Sequence, residues 1–187
     1  MLSNGHKVYK SVLPSQQIRN LLLNKQIDSQ LNFEKDQIQP SSIDLRLGSK
    51  AWRMRASFLP GKKKTVLSCI SEFAMQEIDL SRGYILEKGS VYLVELQESL
   101  NLPVNIEGLS NAKSSTGRLD VFTRLIGDYC NEFDRVKKGY KGPLYAEIVP
   151  NSFSIFAKSS IKLNQIRFKI YQKIDFKDRK IKNHLIE

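Results

Sequence analysis

Most of this chain consists of short segments in which apolar and polar residues alternate, separated by turn residues. Residues 42–47 show the pattern clearly, as Ser-Ile-Asp-Leu-Arg-Leu. Successive side chains of a strand point to opposite faces, so the alternation predicts a half-buried β-strand. We expect Gly48 to end this strand and residues 52–56 to pair back as the second arm of a hairpin.

The same pattern predicts four more strands, at residues 91–97, 144–149, 153–156 and 161–170. A helical period is clear only within residues 14–23, where Ile18, Leu21 and Leu22 share one face and Pro14 suits the first turn. The chain has no regular alternation of strands and helices and no glycine-rich phosphate loop. These features argue against nucleotide-binding α/β folds. They predict an all-β sandwich, barrel or jelly roll with a short N-terminal helix and few other short helices.

Composition and charge limit the classes of protein and of partner that fit this chain. The 187 residues are 41% hydrophobic and 26% charged, which is typical of a folded soluble domain. No apolar run is long enough to span a bilayer, and residues 1–10 lack the apolar core of a secretory signal, so we expect a cytoplasmic protein. The net charge of +11 favours a polyanionic partner: nucleic acid, an anionic membrane or a phosphate-bearing small molecule.

Cysteine and histidine are scarce. The chain contains Cys69, Cys130, His6 and His184, with the two histidines near opposite ends. Two cysteines cannot build a disulfide framework, and these four residues are a poor set of zinc ligands. We therefore expect no zinc site.

Two segments carry residues suited to chemistry. The first, residues 111–120, reads Asn-Ala-Lys-Ser-Ser-Thr-Gly-Arg-Leu-Asp. Its hydroxyls and cations suit the binding of phosphate oxygens, although Ser114 or Ser115 could equally be an ordinary helix N-cap. The second, residues 139–148, places Glu147 in an apolar strand. A buried carboxyl group there would have a raised pKa and could act as a base, whereas one on the solvent face would have no such role.

These two segments, together with residues 39–48 (QPSSIDLRLG) and 163–168 (LNQIRF), resemble the dCTP deaminase family of the trimeric dUTPase-like superfamily. Residues 56–61 (ASFLPG) and 113–124 (KSSTGRLDVFTR) are most similar to the N-terminal domain of the long bacterial form, which has two such domains in tandem. The resemblance extends from the N-terminal helix to Phe168. We therefore predict a domain at residues 1–168, followed by a basic tail at 169–187 that is a lid or a linker to a second domain.

The resemblance implies a distorted β-barrel or jelly roll of the dUTPase-like type, assembled as a homotrimer with active sites between subunits, or as a pseudo-symmetric assembly of tandem domains. It implies an enzyme, a hydrolase that converts dCTP to dUTP and ammonia without zinc and so feeds dUMP and dTTP synthesis. Mg²⁺ would be bound through the substrate triphosphate. The expected partners are dCTP and dUTP- or dTTP-like nucleotides, with no nucleic acid and no membrane.

The resemblance also assigns catalytic residues by position. Glu147 matches the general base, which takes a proton from the water that attacks C4 and returns it towards the departing amine. Ser114 and Arg118 match residues that line the reaction centre and orient the water and the base.

Five further residues match substrate contacts. The resemblance places Lys113 and Ser115 on the triphosphate, Gln165 near the phosphates, Tyr140 against the deoxyribose, and Arg135 near the cytosine. Lys113 stands where arginine is common in the family, so it keeps the charge and loses the bidentate fork.

One departure bears on the product. Val136-Lys137 occupies the position at which the family and its dUTPase relatives usually carry Ile-Asp, and in dUTPases that aspartate activates the water that cleaves pyrophosphate. Lys137 therefore argues against a dUTPase-like pyrophosphatase or a bifunctional enzyme, although Asp134 lies nearby. A catalytically silent, nucleotide-binding half of a tandem protein is a further alternative. A nucleic-acid-binding barrel would need exposed aromatic residues, and we interpret Phe153 and Phe156 as core.

Overall fold

The computed structural model describes residues 7–174. Within this range there are three helices: α1 (Ser15–Leu23), α2 (Val66–Phe73) and α3 (Ser114–Arg118). The same range contains twelve strands: β1 (Lys7–Val12), β2 (Ile27–Ser29), β3 (Ile43–Met54), β4 (Ala74–Asp79), β5 (Tyr84–Leu86), β6 (Val91–Asn101), β7 (Ile106–Ala112), β8 (Val121–Gly127), β9 (Arg135–Val136), β10 (Lys141–Pro150), β11 (Ile155–Ala157) and β12 (Lys162–Ile174).

Ten of these strands form one antiparallel sheet. Its main order is β8-β10-β6-β3-β12-β7-β9, with β1 added to β12, β2 to β6 and β4 to β3. The sheet curls into a nearly closed barrel, and the Thr123 hydroxyl of β8 donates to Asn164 Oδ1 of β12 at 2.6 Å. The prediction of a mainly β, barrel-like fold is confirmed.

The predicted hairpin at Gly48 is wrong, because β3 continues through that residue to Met54. The strand changes partners around this residue: residues 43–46 pair with β12, Leu47 and residues 51–54 pair with β6, and residues 50–54 pair with β4. A Cβ atom on Gly48 would lie 2.6 Å from the carbonyl oxygen of Glu95. Glycine therefore permits a close approach of two backbones at this position rather than a turn.

The first part of β3 is buried on both faces, not on one. Asp44 and Arg46 are only 2% and 1% exposed, like the apolar residues between them. Each is covered by an oppositely charged partner, Lys113 for Asp44 and Glu98 for Arg46. The alternating pattern therefore marked the strand correctly, but ion pairs replaced the solvent that we expected on its polar face.

The N-terminal helix is confirmed, with Pro14 at its N-cap. Helix α2 had no counterpart in the sequence interpretation. The Thr65 hydroxyl caps it by accepting the Ser68 N–H at 3.2 Å, and Val66 and Ile70 pack on an apolar cluster that also contains Trp52. A capping threonine and apolar residues at helical spacing were present, but only over eight residues.

Phe153 and Phe156 are not core residues, since 50% and 63% of their surfaces are exposed. Strand β11 pairs with β5 in a separate two-stranded sheet, where Phe156 faces Ile85. Alternation turns Ala157 into the core and leaves Phe156 outside. The Phe156 ring lies over Gly83, whose missing Cβ makes room for it.

The last strand is longer than predicted. Strand β12 continues to Ile174 and pairs with β1, so residues 169–174 extend the sheet. The division into residues 1–168 and a tail at 169–187 stays a prediction. The lid or linker role falls mostly on residues 175–187, which lie outside the described residues, as do His6 and His184.

Candidate active site

A groove at the start of α3 contains five of the eight predicted site residues. Its walls come from the segment before β3, the turn into α3 and one face of β12. The lining residues are Gln39, Pro40, Ser41, Ser42, Asp44, Lys113, Ser114, Ser115, Arg118, Gln165 and Arg167. The fold thus places Lys113, Ser114, Ser115, Arg118 and Gln165 together.

The groove carries net positive charge. Lys113, Arg118 and Arg167 provide three cations against a single carboxylate, that of Asp44. Lys113 forms an ion pair with Asp44 Oδ2, while Asp44 Oδ1 is buried without a hydrogen-bond partner among the described residues. A surface of this charge favours a polyanion such as a triphosphate.

Helix α3 is a single turn with Lys113 at its N-cap, and no side chain caps it. The alternative that Ser114 or Ser115 is an ordinary cap is therefore wrong. Both serines are exposed, and within the described residues neither hydroxyl has a protein partner. Thr116 holds the turn instead, because its hydroxyl donates to the Leu163 carbonyl of β12 at 3.0 Å. The two serine hydroxyls are left available to a ligand.

Two contacts orient side chains of β12 along the groove. The Ser42 hydroxyl donates to Gln165 Oε1 at 3.0 Å, which leaves the amide nitrogen of Gln165 as a donor. Arg167 donates to Asn111 Oδ1 at 2.7 Å. Sequence reasoning missed Arg167, although its position two residues after Gln165 places both side chains on one face of the strand.

Glu147 is buried, with only 2% of its side chain exposed, so the solvent-face alternative is wrong. It lies on β10 directly opposite Arg124 of β8. Arg124 Nε donates to Glu147 Oε1 at 3.0 Å, and Arg124 Nη2 donates to the same oxygen.

Asp134, the carboxylate near Lys137, accepts the Leu125 N–H at 2.8 Å, and burial raises its pKa.

Tyr140 is 2% exposed and serves the barrel core. Its hydroxyl donates to the Pro143 carbonyl at 2.6 Å and accepts the Asp128 N–H at 2.9 Å. Burial raises the pKa of the phenol. Gly127 lies against the ring, because a Cβ there would come within 2.7 Å of the hydroxyl. The predicted deoxyribose contact, which would use the small exposed part of the ring, stays a prediction.

Arg135 lies in a different groove. It forms ion pairs with Glu107 at 3.2 Å and Glu132 at 3.3 Å, beside Lys137 and Lys138. Neither Arg135, Tyr140 nor Glu147 lines the groove that holds Lys113. Within one chain, therefore, the predicted base does not line the groove that holds the predicted phosphate contacts.

The described residues contain no group of three or more His, Cys, Asp or Glu side chains that could hold a metal ion. Cys69 and Cys130 are both buried as free thiols. In the same part of the chain, no helix combines the length and apolar character needed to cross a membrane.

Residues 9–172 match the 2'-deoxycytidine 5'-triphosphate deaminase (DCD) N-terminal domain. The chain belongs to this family. The resemblance seen in the sequence motifs is thereby confirmed for the family, and the dUTPase-like fold with it.

Individual proteins similar to this chain are also named as dCTP deaminases. The chain is similar to a solved dCTP deaminase from Agrobacterium tumefaciens, with 47% identity and a TM-score of 0.84 over 86% of this chain and 48% of that one. It is 27% identical to a dCTP deaminase from Alteromonas mediterranea, over 72% of this chain and 70% of that protein. A relative from Methanosphaerula palustris, named "dCTP deaminase, dUMP-forming", is 29% identical over 63% of this chain and 68% of its own. The chain thus spans about half the length of the Agrobacterium protein.

Proposed function

We propose that this chain catalyses the hydrolytic deamination of dCTP to dUTP and ammonia, with Glu147 as the general base. The observation that carries the proposal is the burial of Glu147 beside Arg124, with one carboxylate oxygen held and the other without a partner among the described residues. Membership of the dCTP deaminase family and the names of the relatives support the substrate.

The reaction needs one water and no protein nucleophile. Water adds to C4 of the cytosine as Glu147 takes its proton, which gives a tetrahedral carbon bearing hydroxyl and amino groups. The proton then passes to the amino group, the C4–N bond breaks and ammonia leaves. The C4 hydroxyl gives up its proton while N3 takes one, which leaves the C4 carbonyl and the N3–H of dUTP. Ser114 and Arg118 would orient the water and Glu147.

The groove supplies the triphosphate site. Lys113, Arg118 and Arg167 offer charge, the serine hydroxyls offer hydrogen bonds, and the Gln165 amide offers a further donor. The groove has one carboxylate, and one of its oxygens is already paired with Lys113. Mg²⁺ would therefore be held by the substrate's phosphate oxygens. The bound ion would neutralise part of the triphosphate charge.

The separation of the two halves of the site supports a site shared between subunits. Glu147 does not line the groove of its own chain, so an assembled enzyme would bring it to the groove of a neighbour. A homotrimer, or a pseudo-symmetric assembly with a second domain, would provide that contact. We place this enzyme, which acts on a soluble nucleotide, in the cytoplasm.

The product is proposed to be dUTP rather than dUMP. The Methanosphaerula relative is named as dUMP-forming, which keeps the bifunctional alternative in view. In this chain Lys137 is exposed at the position of the expected aspartate. One oxygen of Asp134 is already bound to the Leu125 N–H. Lys137 therefore supplies no carboxylate for a second hydrolysis, and Asp134 would have to supply it in place of the expected aspartate.

The test is incubation of the purified chain with dCTP and Mg²⁺, with chromatography of the nucleotides and an ammonia assay. Equal amounts of dUTP and ammonia are expected. Formation of dUMP and pyrophosphate would establish the bifunctional alternative. Tight binding of dCTP without product would contradict catalysis by this chain alone and favour the silent half.

A further inference from the structure

We propose that Arg124 is a positioning residue that fixes the Glu147 carboxylate so that Oε2, not Oε1, accepts the proton from water. This inference rests on the proposed function. The resemblance gave Arg124 no role, although this residue ends the matching segment 113–124. Its separation of 23 positions in sequence from Glu147 gave no indication that the two side chains touch.

The contact is one-sided. Both Arg124 nitrogens, Nε and Nη2, donate to Oε1. An arginine facing a carboxylate squarely would donate to both oxygens. Here Oε1 has its accepting capacity engaged by two charge-assisted hydrogen bonds, while Oε2 receives none from the described residues.

Oε2 also differs from the fully enclosed atoms. The buried side-chain atoms that lack a partner among the described residues are Asp44 Oδ1, Gln97 Oε1, Ser110 Oγ and Asn164 Nδ2. Glu147 Oε2 is not one of them, although it has no partner. It is therefore not fully enclosed by the described residues.

Arg124 is itself held from three sides. The Ser57 hydroxyl, in the segment before α2, accepts from Nη2 at 2.8 Å. The guanidinium carbon lies 3.5 Å from the ring centroid of Phe133 and 4.8 Å from that of Phe122. Stacking on aromatic faces suits the planar guanidinium. A base held within a narrow range of positions by a fixed neighbour is what an efficient proton transfer requires.

The test uses Arg124→Gln and Arg124→Lys in the full chain, with Arg53→Gln as the matched control. Arg53 also pairs with a glutamate, Glu87 at 3.0 Å, but on the surface and outside both grooves. We expect kcat for dCTP to fall about 100-fold in Arg124→Gln with KM nearly unchanged. In Arg124→Lys, kcat should fall less, because the ammonium group restores the positive charge but not the two hydrogen bonds to Oε1. The control should match the wild type.

Two measurements separate positioning from a merely structural role. In Arg124→Ala, guanidinium ion at non-denaturing concentration should restore part of kcat, while sodium chloride at equal ionic strength should not. Ser57→Ala, which leaves the ion pair in place, should lower kcat about 3- to 10-fold without reducing the folded fraction. This variant also keeps the proposal testable if the Arg124 variants do not fold.

The outcomes are distinct. If the wild type makes dUTP and folded Arg124→Gln has a kcat within about twofold of it, the positioning role is overturned. A fall in kcat that tracks only the loss of folded protein, with no guanidinium rescue, overturns it as well. If the wild type itself makes no dUTP, the proposed function fails first, and the inference fails with it.

Discussion

The pairs Arg46–Glu98 and Arg124–Glu147 each bury their glutamate in the barrel, and they differ in how many of its carboxylate oxygens are engaged. In the pair Arg46–Glu98 the side chains are 2% and 0% exposed. Glu98 Oε1 accepts from Arg46 Nε at 2.8 Å and from Gln37 at 2.7 Å, and Oε2 accepts the Arg46 backbone N–H at 2.8 Å. In the pair Arg124–Glu147, only Oε1 is engaged.

This difference separates a structural pair from a pair suited to chemistry. Burying two charges is tolerated when every donor and acceptor is satisfied, as at Glu98. Burial raises the pKa of Glu98, and the hydrogen bonds from Arg46 oppose that rise. Glu147 is buried with hydrogen bonds to only one of its oxygens. The other oxygen is free to take a proton. The residue type is the same in both places, so the surroundings decide the role.

The largest effect is expected from Glu147→Gln. The amide keeps the shape of the side chain and cannot accept the proton, so kcat should fall by about 10²- to 10⁴-fold. Stability should change by no more than about 1 kcal/mol, because Arg124 keeps partial access to solvent. Turnover, dCTP binding and thermal unfolding of the same preparation check this. Near-normal turnover in a folded variant would remove Glu147 from the mechanism.

The converse effect is expected from Arg46→Gln, which leaves Glu98 buried without its cation. Unfolding should require about 3–5 kcal/mol less, while kcat per folded molecule stays unchanged. Without Arg46, burial would raise the folded-state pKa of Glu98 further. A carboxyl group whose pKa is raised on folding stabilises the folded state at pH values below 4.5, its pKa in the unfolded chain. This contribution is lost as the pH rises through the pKa of the folded state.

The penalty of Arg46→Gln should therefore grow from about pH 4 towards neutrality. Denaturant unfolding of variant and wild type across this range measures it. A penalty that is constant with pH would show that lost hydrogen bonds, rather than the stranded carboxylate, explain the effect.

A smaller effect is expected at a third buried glutamate, Glu107. Burial raises its pKa, but hydrogen bonds from Tyr171 at 2.7 Å and Arg135 at 3.2 Å outweigh it, so the net shift is downward. A lowered pKa contributes stability above the unfolded value of 4.5, and this is lost as pH falls. Both oxygens of Glu107 accept hydrogen bonds, as those of Glu98 do, so we expect Glu107 to have a structural role.

Glu107→Gln should accordingly flatten the decline of wild-type stability between about pH 5 and about pH 3. Unfolding free energies at several pH values in this interval check the slope. An unchanged slope in the variant would mean that other carboxylates carry the acid sensitivity.

Local pattern was enough for much of the fold. Alternation located β3, β6, β10 and β12, and the period of residues 14–23 located α1, because both signals depend on near neighbours. Strands β1, β2, β4, β5, β7, β8 and β9 were not predicted. Gly48 was misread since a close backbone approach and a turn both favour glycine, and only the partner strand tells them apart. Phe156 was misread because the alternation of a short strand does not say which face is covered.

The candidate site shows the same limit. The motif around Lys113 indicated the groove at the start of α3, and the resemblance singled out Glu147. Arg124 was not found, because its contact with Glu147 depends on the register between β8 and β10. Arg167 was within reach of strand alternation from Gln165. The burial of Asp44 was not, because its covering partner Lys113 lies far away in sequence.

The most direct test compares the stability and turnover of Arg46→Gln and Arg124→Gln side by side, at a temperature where both are folded. We predict that Arg46→Gln unfolds more readily but deaminates dCTP at the wild-type kcat, whereas Arg124→Gln keeps more of its stability and loses most of its turnover. Equal losses of kcat in the two variants, or a larger loss in Arg46→Gln, would contradict the assignment of catalysis to the pair with the free oxygen.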